Sequence, residues 1–278
     1  MKIEYLQNGE PLKLINDGKL EVVPLGVGSM LSTNFYNTNY LIIKGDTHVL
    51  VDAGFTTTNA LRAVGLKAAD IKVVLPTHQH DDHVGGIGCL AIANRYIGKH
   101  KLTLLAPRDF AGKLWEENLR GGLAKNERDA NGKDLEANDW FKLVCPQIVS
   151  FEHRETAVYE FGGISIRTFR VMHVPADAKS WRDSAWGIGL LVDERVFISG
   201  DTRFDEELLD TYAPQSEFMF HDVTFTGDPV HASLEELRTL PSKVKQKMSL
   251  VHFGDNAPSY DVSEFSGLTK QGARYVFD

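Results

Sequence analysis

The segment Thr77 to Gly86, which reads THQHDDHVGG, restricts the fold and function of this chain more than any other stretch. Three histidines and two aspartates occupy six consecutive positions within it, from His78 to His83. It follows the apolar, β-branched run Ile71 to Leu75, which predicts a buried strand that ends at Pro76. The histidines are therefore expected at the carboxyl end of a strand, where open α/β sheets place their active sites.

The spacing within this segment predicts a site for two metal ions. In an extended or tightly turned backbone alternate residues point the same way, so His78 and His80 can share one ion. Asp82 and His83 are then left for a second ion. Imidazole nitrogens and carboxylate oxygens are ligands of zinc, with manganese and iron as realistic substitutes, so we expect two Zn²⁺ per chain, or Mn²⁺ or Fe²⁺ instead. The alternative is a polar turn with ordinary surface histidines.

A site for two ions needs more than four ligands, and other histidines and aspartates also follow predicted strands. His173 comes after the strand predicted at Ile164 to Val171, and His252 after the one predicted at Met248 to Val251. Asp201 follows a third strand, and its two carboxylate oxygens can bridge two ions. The predicted metal ligands are His78, His80, Asp82, His83, His173, Asp201 and His252.

Turn residues divide the chain into short strands. Asn8-Gly9 and Gly45-Asp46 predict hairpin turns in the first half, and five strands predicted between Ile148 and Ser199 form a second sheet. Gly26 to Ser29 is only a fragment of a phosphate-binding loop, so no cofactor other than the metal ions is expected. Without repeats or linkers, the pattern predicts one domain, residues 1–278.

Composition narrows the partners of the protein. No apolar run approaches the roughly 18 residues of a membrane span, and the first residues, MKIEYLQNGE, lack the core of a signal peptide. We therefore expect a cytoplasmic protein without a membrane partner. The net charge of -8 argues against binding of long nucleic acids, because such binding depends on many Lys and Arg contacts to phosphates. A small anionic substrate remains compatible with this charge.

The segment from Glu116 to Trp140 interrupts the alternation of predicted strands and helices. It is rich in charge, glycine and asparagine, and it shows little periodicity. A segment of this length inside a compact domain is typically a lid, an arm that contacts a partner, or a disordered stretch. We expect an ordered lid or dimer arm at residues 116–140, because the segment is too polar to pack as core.

The seven predicted ligands make the sequence resemble the metallo-β-lactamase fold superfamily. Its ligands follow the order H-x-H-x-D-H, then His, then Asp or Cys, then His, and all seven positions match. The resemblance implies an α/β fold, a four-layer αββα sandwich of two mixed β-sheets flanked by helices, with two metal ions at one edge. Asp201 stands where the best-known β-lactamases carry Cys, whereas the hydrolases of phosphodiesters, thioesters and lactones carry Asp.

The last third of the chain resembles the ribonuclease Z branch in its motifs FHDVTF (220–225), HAS (231–233) and LVHF (250–253). In that branch an acidic residue of the first motif orients the histidine of the second, which protonates the leaving oxygen. The family usually has Glu in the first motif, so Asp222 is one methylene shorter. With these roles carried over, the predicted catalytic residues are Asp82, His231 and Asp222.

Members of that branch that process tRNA carry a long protruding arm between the third histidine ligand and the aspartate. Here only residues 174–200 separate His173 from Asp201, which leaves no room for it. The patterns Gly121-Gly122-Leu123, Val230-His231-Ala232 and Lys245 to Met248 resemble the anti-Pycsar phosphodiesterases of phages and bacteria. That resemblance implies a homodimer that hydrolyses cyclic mononucleotides (3',5'-cyclic phosphates) to linear nucleoside monophosphates and counters cyclic-nucleotide antiviral signalling.

Three other functions stay open at this point. They are a tRNA 3' processing endonuclease of the ribonuclease Z type, a thioester or lactone hydrolase of the same fold, and a metal-binding module without activity. The pair of His231 and Asp222 favours phosphodiesters, because an alkoxide leaving group needs a proton whereas a thiolate leaves without one.

Overall fold

The computed structural model describes residues 1–6, 10–151 and 153–278, and the turn predicted at Asn8-Gly9 lies outside them. The described residues form two compact units. The first comprises Lys2–Gly26, Asn39–Pro146 and Gly272–Asp278, and the second comprises Val27–Thr38 and Gln147–Gln271 together with Met1. Each unit has one mixed β-sheet with helices, which confirms the predicted α/β fold class. None of the described helices has the length and apolar character needed to cross a membrane.

The first unit is built on an eight-stranded sheet within its described residues. Its strands are β1 (Lys2–Glu4), β2 (Leu20–Gly26), β3 (Asn39–Lys44), β4 (Thr47–Val51), β5 (Val73–Leu75), β6 (Leu102–Leu105), β7 (Phe141–Val144) and β15 (Arg274–Phe277). Their spatial order is β1-β15-β2-β3-β4-β5-β6-β7. Strands β4 to β7 run parallel, so the residues that follow β4 and β5 meet at one edge of the sheet. The predicted hairpin at Gly45-Asp46 is confirmed between β3 and β4, with Gly45 at a φ of 60°.

The helices of the first unit connect these parallel strands. They are α1 (Thr57–Ala63), α2 (Asp81–Val84), α3 (Ile87–Ala93), α4 (Arg108–Leu114), α5 (Arg120–Leu123) and α6 (Ala137–Trp140). A 3₁₀ turn lies at Ala68–Asp70, and π-helical turns extend α3 over Asn94–Gly98 and α4 over Trp115–Leu119. Strand β5 is buried along its whole length, which explains why its sequence is continuously apolar instead of alternating.

The second unit carries a seven-stranded sheet within its described residues. Its strands are β8 (Gln147–Ser150), β9 (Thr156–Phe161), β10 (Ile164–Arg170), β11 (Ile188–Val192), β12 (Val196–Ile198), β13 (Phe218–Asp222) and β14 (Met248–Val251), in the spatial order β14-β13-β12-β11-β10-β9-β8. Its helices are α7 (Glu206–Tyr212), α8 (Leu234–Arg238) and α9 (Ser242–Lys245), with a 3₁₀ turn at Ala257–Ser259. Strands β12, β13 and β14 run parallel, so Asp201, Asp222 and His252 all come from the same edge.

The segment 116–140 packs more closely than its composition predicts. Leu119, Leu123, Leu135 and Trp140 are buried, so the expectation that this segment is too polar to contribute to a core is wrong. The apolar residues are widely spaced, and a π-helical turn shifts their period, which hides them from a search for regular periodicity. The role of the segment as a lid or dimer arm stays a prediction.

Candidate active site

Four predicted ligands lie in the first unit, in the turn from β5 into α2. The ring centroid of His78 lies 4.6 Å from that of His80 and 4.2 Å from that of His83. His83 Nε2 lies 3.4 Å from a carboxylate oxygen of Asp82. His78, Asp82 and His83 are buried, and His80 is half-buried. The turn therefore gathers three imidazoles and one carboxylate, as the spacing predicts, and the catalytic role of Asp82 stays a prediction.

Asp52, which directly follows β4, fixes the orientation of two of these histidines. Its Oδ2 accepts a hydrogen bond from His83 Nδ1 at 2.7 Å and another from Thr77 Oγ1 at 2.8 Å. Thr77 Oγ1 also lies 3.0 Å from His78 Nδ1, and since its only hydrogen goes to Asp52, it accepts from that nitrogen. Both histidines therefore carry hydrogen on Nδ1 and present the Nε2 lone pair, as metal ligation requires.

The Asp52 carboxyl is itself buried, and burial raises its pKa above the usual range, although the contacts from His83 and Thr77 oppose this. Thr77 N also donates to Asp52 Oδ1 at 2.6 Å. Asp52 therefore orients His83 directly. Through Thr77, Asp52 also orients His78.

The backbone of the histidine turn is tied to the end of β4. Ala53 N donates to His83 O at 2.7 Å, and Gly86 N donates to Ala53 O at 2.7 Å. A Cβ on Gly86 would lie only 2.4 Å from Gly54 O, so a larger residue cannot fit without displacing backbone. The structure shows that the close approach is between two backbone segments.

The other three predicted ligands lie in the second unit. Asp201 Oδ2 lies 3.3 Å from His252 Nε2 and 3.9 Å from His173 Nε2. All three side chains are buried. His173 Nδ1 donates to the carbonyl oxygen of Val230 at 2.8 Å, so its Nε2 is the nitrogen left for a ligand. Two imidazoles thus converge on the carboxylate that the sequence predicts as the bridging ligand.

Asp201 is placed by an unusual backbone conformation in the residue before it. Gly200 has a φ of 62°, a left-handed conformation that disfavours residues with a Cβ. A Cβ there would also lie 2.4 Å from Ile188 O. Glycine at this position therefore allows the chain to turn sharply at the end of β12 and direct Asp201 toward the two histidines.

The predicted catalytic pair is also formed. His231 Nδ1 lies 2.9 Å from Asp222 Oδ2, so the shorter aspartate side chain reaches the histidine where the family usually has Glu. The His231 ring centroid lies 4.7 Å from that of His252 and 4.9 Å from that of His173. The pair therefore stands next to two predicted metal ligands.

The loop that carries His231 is held by its neighbours. Ala232 N donates to Thr202 O at 3.0 Å, and Ser233 caps α8 by accepting a hydrogen bond from Glu236 N at 3.2 Å. Ser233 N in turn donates a hydrogen bond to Glu236 Oε2 at 2.9 Å. These contacts fix the two residues that follow His231, and the hydrogen bond to Asp222 sets the direction of the His231 ring.

Comparison with known proteins identifies the family. The profile of the family described as "Anti-Pycsar protein Apyc1" matches residues 20–275. The chain belongs to this family. The Apyc1 protein of Bacillus phage 010DV004 is 33% identical to it over 265 residues, which cover 92% of this chain and 98% of that protein. The predicted anti-Pycsar resemblance is therefore confirmed.

Solved structures show the fold of this Apyc1 family member. The match with the metallo-β-lactamase fold protein YhfI from Bacillus subtilis covers 93% of this chain and 100% of the YhfI chain, with a TM-score of 0.67 at 16% identity. The match with the short form of human tRNase Z covers 85% of this chain and 93% of the tRNase Z chain, with a TM-score of 0.60 at 17% identity. At these identities the likeness shows the fold alone, and that fold is the predicted one.

The charges around His231 and Asp222, the predicted catalytic pair of this Apyc1-family chain, set the protonation of both residues. Burial lowers the pKa of His231, but the hydrogen bond to Asp222 and the negative charges of Asp201, Asp222 and Asp228 raise it to about 9. Burial acts against ionisation of Asp222, but hydrogen bonds from His221 and His231 hold its pKa below the usual range. His231 therefore carries a proton at neutral pH while Asp222 is ionised.

Sequence reasoning missed several groups that support this Apyc1-family site. Thr77 and Thr202 are each next to a predicted ligand, and Ser199 lies two residues before Asp201, so proximity in sequence is a signal that could have found them. The carbonyl of Val230 gives no such signal, because every residue has a carbonyl. His221 precedes Asp222 in the motif, but its sequence position alone does not reveal what its ring contacts.

Proposed function

We propose that this protein is a dinuclear metal-dependent phosphodiesterase that hydrolyses 3',5'-cyclic mononucleotides to linear nucleoside monophosphates. The observation that carries the proposal is the 2.9 Å contact between His231 and Asp222 beside the rings of His173 and His252. It supports a phosphodiesterase because a departing alkoxide needs a proton. Membership in the Apyc1 family supports a cyclic nucleotide as the substrate.

The donor atoms fit divalent metal ions of the zinc type. In His78, His83 and His173 the Nδ1 atom is engaged by a protein group, which leaves Nε2 as the ligand atom. In the proposal the ions are two Zn²⁺, or Mn²⁺ or Fe²⁺ in their place, held by His78, His80, Asp82, His83, His173, Asp201 and His252. Such ions, when bound, lower the pKa of water and neutralise charge on phosphoryl oxygens.

The chain's own residues perform the remaining steps. Asp222 accepts a hydrogen bond from His231 Nδ1, so the proton that His231 can transfer is the one on Nε2. We propose that a water oxygen bonds to phosphorus and that His231 gives this proton to the departing ribose oxygen as the P–O bond to ribose breaks. Asp222 stays ionised and stabilises the imidazolium before the transfer. A positioned general acid of this kind contributes about a hundredfold or more to the rate.

We further propose that the protein acts as a cytoplasmic homodimer in which residues 116–140 form a lid or dimer arm. Support for a lid comes from contacts between this segment and the histidine turn. Gln79, which lies between two predicted ligands, donates to Glu117 at 3.1 Å and to Asn118 at 3.2 Å. The net charge of -8 supports a small substrate over a long nucleic acid.

One chromatography panel tests the proposed function. It contains several cyclic mononucleotides, precursor tRNA, a glutathione thioester and an acyl-homoserine lactone, each with and without chelator. We expect cleavage of purine and pyrimidine cyclic mononucleotides that chelator abolishes. Cleavage of the precursor tRNA or the thioester with every cyclic nucleotide intact would overturn the proposal.

A pair of histidine variants tests the proton donor. His231→Ala should lower kcat about a hundredfold or more and retain its metal. His153→Ala is the matched control, because His153 is an exposed histidine of the same unit and should leave kcat unchanged. Unchanged turnover of His231→Ala would show that His231 is structural.

A further inference from the structure

His221 is a polar side chain in a position suited to an apolar one. It lies in β13, is 0% exposed, and stacks on Phe197 with ring centroids 6.2 Å apart. Phe197 in turn packs against Phe169 and Tyr212. Within the described part of the chain, His221 Nε2 has no hydrogen-bond partner. A buried polar atom without a partner costs about 1–3 kcal/mol, so the presence of histidine at this position requires an explanation.

The other ring nitrogen supplies that explanation, because it faces Asp222. His221 Nδ1 lies 2.8 Å from the Asp222 carbonyl oxygen and 3.3 Å from Oδ1 of the same residue. A carbonyl oxygen only accepts hydrogen bonds, so Nδ1 carries the hydrogen and donates it. His221 therefore holds both the backbone and the near carboxylate oxygen of the residue that contacts His231.

The Asp222 carboxylate is held on both of its oxygens. On Oδ2 it accepts from His231 Nδ1 at 2.9 Å and from Thr202 N at 3.2 Å. On Oδ1 it meets Ser199 Oγ at 3.3 Å, in addition to His221. The last side-chain torsion of aspartate has a broad energy minimum, so a carboxylate keeps one orientation only when its partners hold it. Without the His221 donor, Oδ1 would retain a single long contact.

We propose that His221 is a positioning residue that holds Asp222 so that His231 delivers its proton to the leaving group. This inference rests on the proposed function, because it takes His231 as the proton donor. His221 acts through Asp222 and does not touch the substrate. Loss of its Nδ1 donor should therefore slow only those reactions whose leaving group needs a proton.

The test compares two substrates with different leaving groups. A cyclic mononucleotide releases an alkoxide, which needs a proton, whereas bis(4-nitrophenyl) phosphate releases a nitrophenolate, which does not. We expect His221→Leu to lower kcat on the cyclic nucleotide about tenfold or more, the scale seen when a group that orients an active residue is lost. Its KM, its metal content and its kcat on bis(4-nitrophenyl) phosphate should stay close to those of the wild type.

Two amide variants provide matched controls. His221→Asn places an N–H close to the position of Nδ1 and should restore most of the rate on the cyclic nucleotide. His221→Gln places its amide near the position of Nε2 and should remain slow. Thermal unfolding of each variant checks that it is folded.

Several results would overturn the inference. An equal loss on both substrates would indicate a general structural role, and an unchanged rate on the cyclic nucleotide would show that Asp222 does not need His221. The double variant His221→Leu with His231→Ala should be no slower than His231→Ala alone, and a further loss would also contradict it.

Failure of the proposed substrate is distinguishable from failure of the inference. If the wild type cleaves no cyclic nucleotide, the substrate proposal is wrong, and the same variants are compared on the alkyl phosphodiester that it does cleave. If the wild type cleaves no phosphodiester with an alkoxide leaving group, the donor role of His231 is wrong and the role of His221 is wrong with it.

Discussion

The buried histidine in β4 should make the stability of this protein fall in mild acid. His48 is only 7% exposed, and its Nε2 accepts a hydrogen bond from Lys72 N at 3.2 Å. Burial, together with the charge of Lys72, lowers the pKa of His48 from 6.5 to about 4. Between these two pH values the unfolded chain binds a proton that the folded chain does not. The free energy of unfolding is therefore unaffected by this group above pH 6.5 and falls as the pH drops toward 4.

The size of the effect follows from the gap between the two pKa values. Between pH 7 and pH 5 the linkage relation gives a loss of roughly 2 kcal/mol from His48 alone. Urea unfolding of the wild type and of His48→Gln at both pH values measures it. Glutamine does not titrate, and its side-chain oxygen can accept the hydrogen bond from Lys72, so the variant should lose about 2 kcal/mol less than the wild type.

Proton uptake by the other groups is common to both proteins and cancels in the difference. His100→Gln is the matched control, because His100 is a less buried histidine of the same unit, and this variant should behave as the wild type does. If the wild type and His48→Gln lose the same stability between pH 7 and pH 5, the reasoning from burial is refuted.

Three further predictions concern the metal site, its backbone and the assembly. Elemental analysis should find close to two transition-metal ions per chain, and Asp201→Ala should lose both metal and activity; activity in metal-free protein would contradict the mechanism. Gly200→Ala should lower the melting temperature and the activity, because it adds left-handed strain of about 1–2 kcal/mol to a clash with Ile188 O. Gly163→Ala is the control, because Gly163 also has a positive φ but an added Cβ there would meet no other atom, so this variant adds only the backbone strain. Equal effects of the two variants would show that the clash with Ile188 O does not contribute. Solution scattering should give the mass of a dimer, and a monomer whose kinetics survive deletion within residues 116–140 would reject the lid.

The sequence is most informative where a residue's chemistry and its position on a strand coincide. The apolar run at Ile71 to Leu75 predicts β5, and the polar residues behind it then have to lie at the end of a strand. The same logic locates His173, Asp201 and His252, because each lies just beyond a predicted strand. These predictions depend only on the order of apolar and polar residues along a short segment, and that order decides where each strand ends in the folded chain.

Features that depend on contacts between distant residues could not be predicted in this way. Strand β13 reads FMFHD and is buried along its whole length, but its sequence does not show that the two polar residues at its end are buried as well. Strand β15 joins the first sheet from the other end of the chain, next to β2, and only the folded structure shows that pairing. The role of the Val230 carbonyl as partner of His173 belongs to the same class.

The backbone ties around the histidine turn have a consequence for how metal ions enter and leave. Ala53 bonds to both His83 and Gly86, and Asp52 orients His83, all through contacts between protein atoms. The entropy of ordering this turn is thus spent during folding, before any ion arrives. An ion can then be exchanged without rebuilding the turn. Because imidazole and carboxylate ligands accept several divalent metals, the ion carried in a cell should follow the local supply more than any preference of the protein.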